Sequence, residues 1–273
     1  MSLEIHRPSQ SLIEVETCKG DRSEQDTFVT IDKKDKSTVR ISKKDPIKGL
    51  KDASIFVSEI FNRPIFGLHI AQGVEDPASW VNWIFQVQKS LGKLSTFLGK
   101  LKESEANLIL STYNISRELS FYPSAPFEFP KPRPFFMDYL FVAKGKGLTL
   151  EHLVLMDCKK IILDKPDLSE KVINQFLKMW KNGECAKRIK ELCIFVKDTV
   201  NYEEILEGLG SVRREESVKR NFINYIGYPE TISRGIDIRR DTDGAVATVI
   251  ESSANWKYLK IVFWPDWKDN HCS

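Results

Sequence analysis

The sequence predicts an α/β protein: an irregular, leucine-rich-repeat-like β-α solenoid with an N-terminal β-hairpin and a C-terminal antiparallel β cap. Three observations predict it. Short apolar runs of strand length alternate with amphipathic runs of helix length, the pattern of parallel β-α units. A degenerate L-x-x-L-x-L pattern recurs along the middle of the chain at a fairly even spacing. Beyond residue 197 that pattern gives way to strand-like pieces separated by turn residues.

The elements follow in order. Residues 1–26 are polar and are expected to form a flexible lead. Residues 27–62 hold the hairpin and a helix. Strands are expected over 27–31 and 37–42, with charged residues 32–36 as the turn. Residues 52–61 carry Ile55, Phe56, Glu59 and Ile60 at helical spacing, and Pro64 ends that helix because proline disfavours a helical residue before it.

Residues 63–197 form the repeat-like stack. The central positions of the pattern are Leu68, Leu94, Leu119, Leu140, Ile161 and Leu192, at steps of 26, 25, 21, 21 and 31. All but the last step fall within the roughly 20–29-residue period of leucine-rich repeats. Helices fit between these strands. One spans 76–90, with Asp76 as cap, Pro77 in the first turn, and Trp80, Val81, Ile84, Phe85 and Val87 largely on one face. A second spans 104–112, capped by Ser104. A third spans 148–156, with Thr149 as cap and Leu150, Leu153 and Val154 inward. The fourth spans 169–180, with Ser169 as cap, Val172, Ile173, Phe176, Leu177 and Trp180 on one side, and Gly183 as stop. Residues 123–134 contain five prolines and read as an irregular insert.

Residues 198–273 form helices and the terminal cap. Helices are expected over 201–209 and 215–226, and strands over 235–239, 245–250 and 258–264. Asp241, Thr242, Asp243 and Gly244 supply the first turn, since Asp-Gly tolerates positive φ. A repeat stack needs such a cap, because an open end leaves apolar surface in water.

Composition narrows the function. The chain has 273 residues, 41% of them apolar, and a net charge of only +3 with both signs interspersed. A nucleic-acid binder shows a clustered basic excess, so an RNA-binding scaffold on the repeat surface is the alternative reading, not the first. No run approaches the roughly 20 apolar residues of a membrane helix, and residues 1–26 lack the apolar core of a secretory signal. The chain therefore reads as soluble and intracellular, cytoplasmic or nuclear. The five cysteines show no C-x-x-C spacing, so neither zinc nor redox chemistry is signalled. Cys158 and Cys193 lie in apolar stretches and read as small buried hydrophobes.

No catalytic, cofactor or metal residues are expected. His152 and Cys158 are six residues apart and face different directions on a helix. The carboxylate pairs Glu203-Glu204 and Glu215-Glu216 are adjacent and so do not face each other. Residues 144–149 lack the spacing of a phosphate loop. The densest polar group is Asp237, Arg239, Arg240, Asp241 and Asp243. Most of it reads as cross-strand ion pairs and turn caps, with Arg239 and Arg240 as candidate partner-binding residues. Trp267 is a further candidate contact, although packing on the cap is its favoured role.

Two stretches carry a family resemblance. The first holds Leu148, Leu153, Met156, Cys158, Ile161, Leu163, Phe176, Leu177 and Trp180. The second runs Gly235-x-Asp237-Ile238-x-Arg240-x-x-Asp243-Gly244-x-x-Ala247-Thr248. Together they resemble the type 2 F-box associated domain, the C-terminal half of a large group of nematode F-box proteins, and the resemblance covers residues 27–273. It implies a non-catalytic protein-interaction module similar to the substrate-recognition half of these ubiquitin ligase receptors. In the family an F-box docks onto the Skp adaptor of a cullin-RING ligase while the other half recruits the target. Residues 1–26 are too short and too polar for F-box helices, so the expected role is an adaptor or a decoy. The motif residues are mainly structural by this reading. The protein target is expected along the concave strand face or against the C-terminal sheet.

Overall fold

The computed structural model describes residues 2–6, 14–17, 36–40, 46–71, 74, 76–99, 102–123, 125–196, 199–224, 228–251 and 257–264. The chain divides into two compact units, 1–125 and 126–273. That boundary falls inside the stretch the sequence presents as one stack.

The first unit contains β1 (Ser2–His6), β2 (Glu14–Thr17), β3 (Lys36–Arg40), α1 (Pro46–Phe61), β4 (Gly67–Ile70), α2 (Pro77–Val87), β5 (Leu91–Gly99), α3 (Glu103–Ser111) and β6 (Ile115–Pro123). Its strands lie in the order β6-β5-β4-β2-β1-β3. The run from β2 through β4 and β5 to β6 is parallel. Leu68 lies opposite Leu94, and Leu94 opposite Leu119, so the repeat centres stand in register. These leucines are buried, as are Trp80, Val81 and Ile84 of α2, which packs against β4 and β5. Asp76 caps α2 by accepting the Ser79 N–H at 3.1 Å, with Pro77 at its first position. The start of the helix is therefore where the sequence puts it, whereas its end falls at Val87, short of residue 90, and Val87 is exposed.

Three differences stand out in this unit. The stretch expected to be a lead contains β1 and β2, and β3 pairs antiparallel with β1. The expected partner of β3, residues 27–31, lies outside the described residues. The strand signal in 1–17 is interrupted by charge, which is why composition hides it. Helix α1 begins at Pro46, not residue 52; proline is favoured at the first turn, where its missing N–H costs nothing. Phe56 and Ile60 of α1 are exposed while Leu50, Ser54 and Val57 are buried. Helix α3 starts at Glu103, and its first turn is closed by Glu105, which accepts the Lys102 N–H at 2.8 Å.

The second unit contains β7 (Phe127–Glu128), β8 (Tyr139–Ala143), β9 (Gly145–Lys146), α4 (Leu150–Leu155), β10 (Lys160–Asp164), α5 (Glu170–Lys181), β11 (Glu191–Phe195), α6 (Tyr202–Leu206), β12 (Val212–Arg214), β13 (Arg220–Ile223), β14 (Pro229–Ile232), β15 (Gly235–Arg239), β16 (Val246–Ile250) and β17 (Tyr258–Trp264). Its sheet runs β12-β15-β16-β17-β11-β10-β8. Strands β8, β10 and β11 are parallel, with Leu140 opposite Ile161 and Ile161 opposite Leu192. Antiparallel β17 joins the end of this run, Ile261 opposite Leu192, and β16, β15 and β12 extend it antiparallel. The expected terminal strands are therefore present, and β17 joins them to β11, the last strand of the parallel run.

One expectation fails here. Residues 215–226, read as a helix, hold the first strand of an antiparallel hairpin, β13 against β14. Arg220 and Phe222 are buried while Asn221 and Ile223 are exposed, a period of two. Charged residues at helix-like spacing upstream masked that alternation. Each unit is thus a mixed α/β structure built on a mixed sheet, and among the described residues there are six helices and no closed barrel.

Candidate functional site

Strand geometry gives the second unit's sheet two faces of different chemistry. Side chains alternate along each strand, and the register aligns them across strands. One face presents Leu140, Ile161, Leu192 and Ile261, all fully buried. Helix α5 covers this face, its Trp180 ring lying edge-on to Phe263 at 5.1 Å. Each such side chain contributes about 1.5–3 kcal/mol by leaving water.

The opposite face carries Tyr139 on β8, Lys160 and Ile162 on β10, Glu191, Cys193 and Phe195 on β11, and Tyr258 and Lys260 on β17. Most of these are only partly buried. Charges alternate across it. Lys160 Nζ lies 2.9 Å from Glu191 Oε2, and Lys260 Nζ lies 3.5 Å from Glu191 Oε1 and 2.7 Å from Glu230 Oε2. Burial alone would raise the Glu230 carboxyl; hydrogen bonds from Lys260 and Asn224, with the nearby lysine charges, outweigh it and hold the group below its ordinary value. Burial alone would lower Lys260, but its bond to Glu230 and the charge of Glu191 raise it. Both partners therefore stay charged. Phe195 and Tyr258 form a tilted pair at 5.8 Å on the same face.

The β13–β14 hairpin covers the far end of this face. Phe222 and Ile232 pack with Val246, Val262 and Trp264, and Phe222 meets Trp264 edge-on at 5.9 Å. The part built by β8, β10, β11 and the start of β17 lies beyond that cluster. An aromatic, charge-alternating sheet surface can bind a macromolecular partner. It is poorly equipped for nucleophilic chemistry: its thiol, Cys193, is pushed up to about 12 by burial and by Glu191. Among the described residues no cluster of His, Cys, Asp and Glu could hold a metal ion, and no helix is long and apolar enough to cross a membrane.

The motif residues of the sequence fall elsewhere. Leu148, Leu153, Met156, Cys158, Ile161, Leu163, Phe176, Leu177 and Trp180 are all buried, as are Ile238, Ala247 and Thr248. Cys158 and Cys185 are likewise free buried thiols pushed up to about 12, first by burial. Asp237 lies opposite Thr248, and the Thr248 hydroxyl donates to Asp237 Oδ1 at 2.7 Å. Gly244 closes the turn at φ +77, where Asp243 accepts the Ala245 N–H at 3.0 Å. Arg240 forms a bidentate pair with Asp243, at 2.8 and 2.6 Å, and lies 5.2 Å over Trp180. Arg239 is exposed, and Trp267 lies outside the described residues. The buried ion network and buried Arg220 escape sequence reading. Their signal was a lysine or glutamate opening an otherwise apolar strand, as in Lys160 and Glu191.

His152 also has a defined role. Its Nε2 donates to the Pro130 carbonyl at 2.8 Å, and its Nδ1 accepts the Thr149 N–H at 3.1 Å. It thereby ties α4 to the proline-rich stretch. Cys158 instead bonds the Phe135 carbonyl at 3.5 Å, so the two make no catalytic pair.

The span from the proline-rich stretch through β11 is thus a compact run of three parallel strands and two covering helices whose signature residues are core. Residues 132–194 match the family described as F-box associated. The matched segment contains β8, β9, α4, β10, α5 and β11 up to Ile194, and it excludes the second motif stretch at 235–248. The match indicates a protein-interaction role linked to F-box proteins. No curated protein and no solved structure matches the chain.

Proposed function

We propose that this protein is a non-catalytic interaction module, similar to the substrate-recognition half of F-box proteins, that recruits a protein target as an adaptor for a cullin-RING ubiquitin ligase. The observation that carries the reading is the strand face of the F-box associated segment, where Tyr139, Ile162 and Phe195 lie partly open beside alternating charge. Aromatic anchors ringed by polar groups are the composition of protein-binding surfaces. The in-register repeat centres support an irregular leucine-rich-repeat-like stack in which such a face is the broad contact surface. Arg239 would stand at its C-terminal rim.

The test is affinity purification of the tagged full chain from its native cells with mass spectrometry, comparing wild type with an Ile162→Glu/Tyr258→Ala variant. A prey lost in the variant and recovered together with Skp adaptor and cullin supports the adaptor role. The same prey without ligase subunits makes the protein a decoy. Identical preys from both proteins, or nuclease-sensitive RNA in their place, would overturn the reading.

A further inference from the structure

Phe136 is 65% exposed, although Phe135 and Met137 on either side are buried. Extended backbone turns successive side chains to opposite sides. The backbone here is fixed, because the Phe135 N–H donates to the Leu155 carbonyl at 2.9 Å and Phe135 forms a bridge with Met156. The ring is therefore held outward by the fold.

The Arg188 guanidinium lies 3.8 Å from the centre of that ring. Three further contacts fix the arginine. Its Nη2 donates to Asp138 Oδ1 at 3.1 Å, its Nη1 to the Asp157 carbonyl at 3.2 Å, and its backbone N–H to Asp157 Oδ1 at 3.2 Å. Lys159 also pairs with Asp138, at 2.9 Å. Lys187 and Lys190 flank Arg188, are exposed, and have no carboxylate partner among the described residues. The result is an exposed aromatic ring on a rigid cationic mount with surplus positive charge around it. It stands at the N-terminal ends of β8, β10 and β11, on loops and not on the strand face.

We propose that this loop edge docks an acidic segment of a partner protein, one in which an apolar side chain is flanked by aspartate or glutamate. The proposal rests on the protein-interaction reading but not on the strand face being the target site. The apolar side chain packs on the ring surface of Phe136 that Arg188 leaves open. The carboxylates pair with Lys187 and Lys190. Aromatic and arginine side chains dominate binding hot spots, and a site whose side chains are already immobilised loses little entropy on binding.

The experiment is selection of a displayed random peptide library on the full chain. Fluorescence anisotropy then follows a labelled synthetic copy of the enriched peptide. Enriched peptides should carry an apolar residue between acidic ones. Phe136→Ala, at an exposed position the fold does not need, should weaken binding about thirtyfold, the loss of a hot-spot anchor. Lys187→Glu/Lys190→Glu should weaken it and flatten its salt dependence, while Tyr258→Ala on the strand face should leave it unchanged. Enrichment of non-acidic peptides, or unchanged binding to Phe136→Ala, overturns the proposal. So does a labelled oligouridine that outcompetes the peptide. A peptide lost in Tyr258→Ala but retained in Phe136→Ala would sink this inference while supporting the strand-face reading.

Discussion

Replacing Arg220 with methionine asks whether a buried charge fastens the β13–β14 hairpin to the sheet or whether apolar packing suffices. Arg220 is 6% exposed. Its Nη2 donates to Asp237 Oδ2 at 2.8 Å and its Nη1 to Thr248 Oγ1 at 3.3 Å. The Trp264 indole N–H donates to the same hydroxyl at 2.9 Å, and that hydroxyl donates onward to Asp237. One donor and two acceptor sites on Thr248 are thereby filled. Methionine keeps much of the apolar stem against Trp264 but removes the cation. Breaking a buried ion pair costs about 3–5 kcal/mol. The Asp237 side chain is 20% exposed, so water can reach it once the arginine is gone. That places the expected loss near the lower end, about 3 kcal/mol. Urea unfolding of the full chain measures it. Asp237→Asn and the double variant complete a cycle whose coupling should be about 1–3 kcal/mol. A loss well under about 1 kcal/mol for Arg220→Met, or additive single effects, would refute the argument and leave apolar packing as the fastener.

Further outcomes follow from other sites. Gly235→Ala should lower stability by about 2–4 kcal/mol, since φ is +146 and a Cβ would meet Thr248 Cγ2 at 2.4 Å and the Val249 carbonyl oxygen at 2.9 Å; an unchanged melting temperature would contradict this. His152→Ala should cost about 2 kcal/mol by leaving the Thr149 N–H and the Pro130 carbonyl without their partner, and amide exchange should accelerate over residues 126–135. Bonds from Arg240 and from the Ala245 N–H hold Asp243 at about 2, below its ordinary 3.8. A depressed carboxylate adds stability above its unfolded value and loses it as pH falls through its folded value. The difference between wild type and Asp243→Asn should therefore be present at neutral pH, stay under about 1 kcal/mol because the side chain is exposed, and vanish near pH 2. Cys158, Cys185 and Cys193 should resist a thiol reagent at pH 8 in the folded chain and react in urea; rapid labelling of any of them in the native state would contradict their burial.

The repeat centres were legible because the buried face of each parallel strand repeats the same apolar spacing, and hydrogen bonding places those centres opposite one another. Helix α2 was legible through its cap, Asp76, and α5 through its one-sided apolar residues; Ser169 holds the first position before α5 but its side chain makes no capping hydrogen bond. The strands over 235–239 and 258–264 were read to the residue because glycine and Asp-Gly punctuate them. Strand β13 was lost because its inward residue at position 220 is an arginine, which hydropathy scores as outward. The same blindness hid Lys160, Glu191 and Lys260: a charge that finds its counter-charge across a strand looks like surface in one dimension. Phe136 was invisible for the opposite reason. An apolar residue between two apolar neighbours reads as core, and only the backbone shows that it points away.

The position of β17 has a consequence for biosynthesis. Strand β10 pairs with β8 before it and β11 after it, each the next parallel strand along the chain, so these contacts can form while the chain is still emerging from the ribosome. The open edge of β11 finds its partner only when Tyr258–Trp264, near the C-terminus, has been made. Until then Leu192 and Ile194 belong to an unpaired edge, the kind that invites association with other chains. Premature termination a few residues before β17 should therefore yield an aggregation-prone nascent protein, not a slightly shortened one.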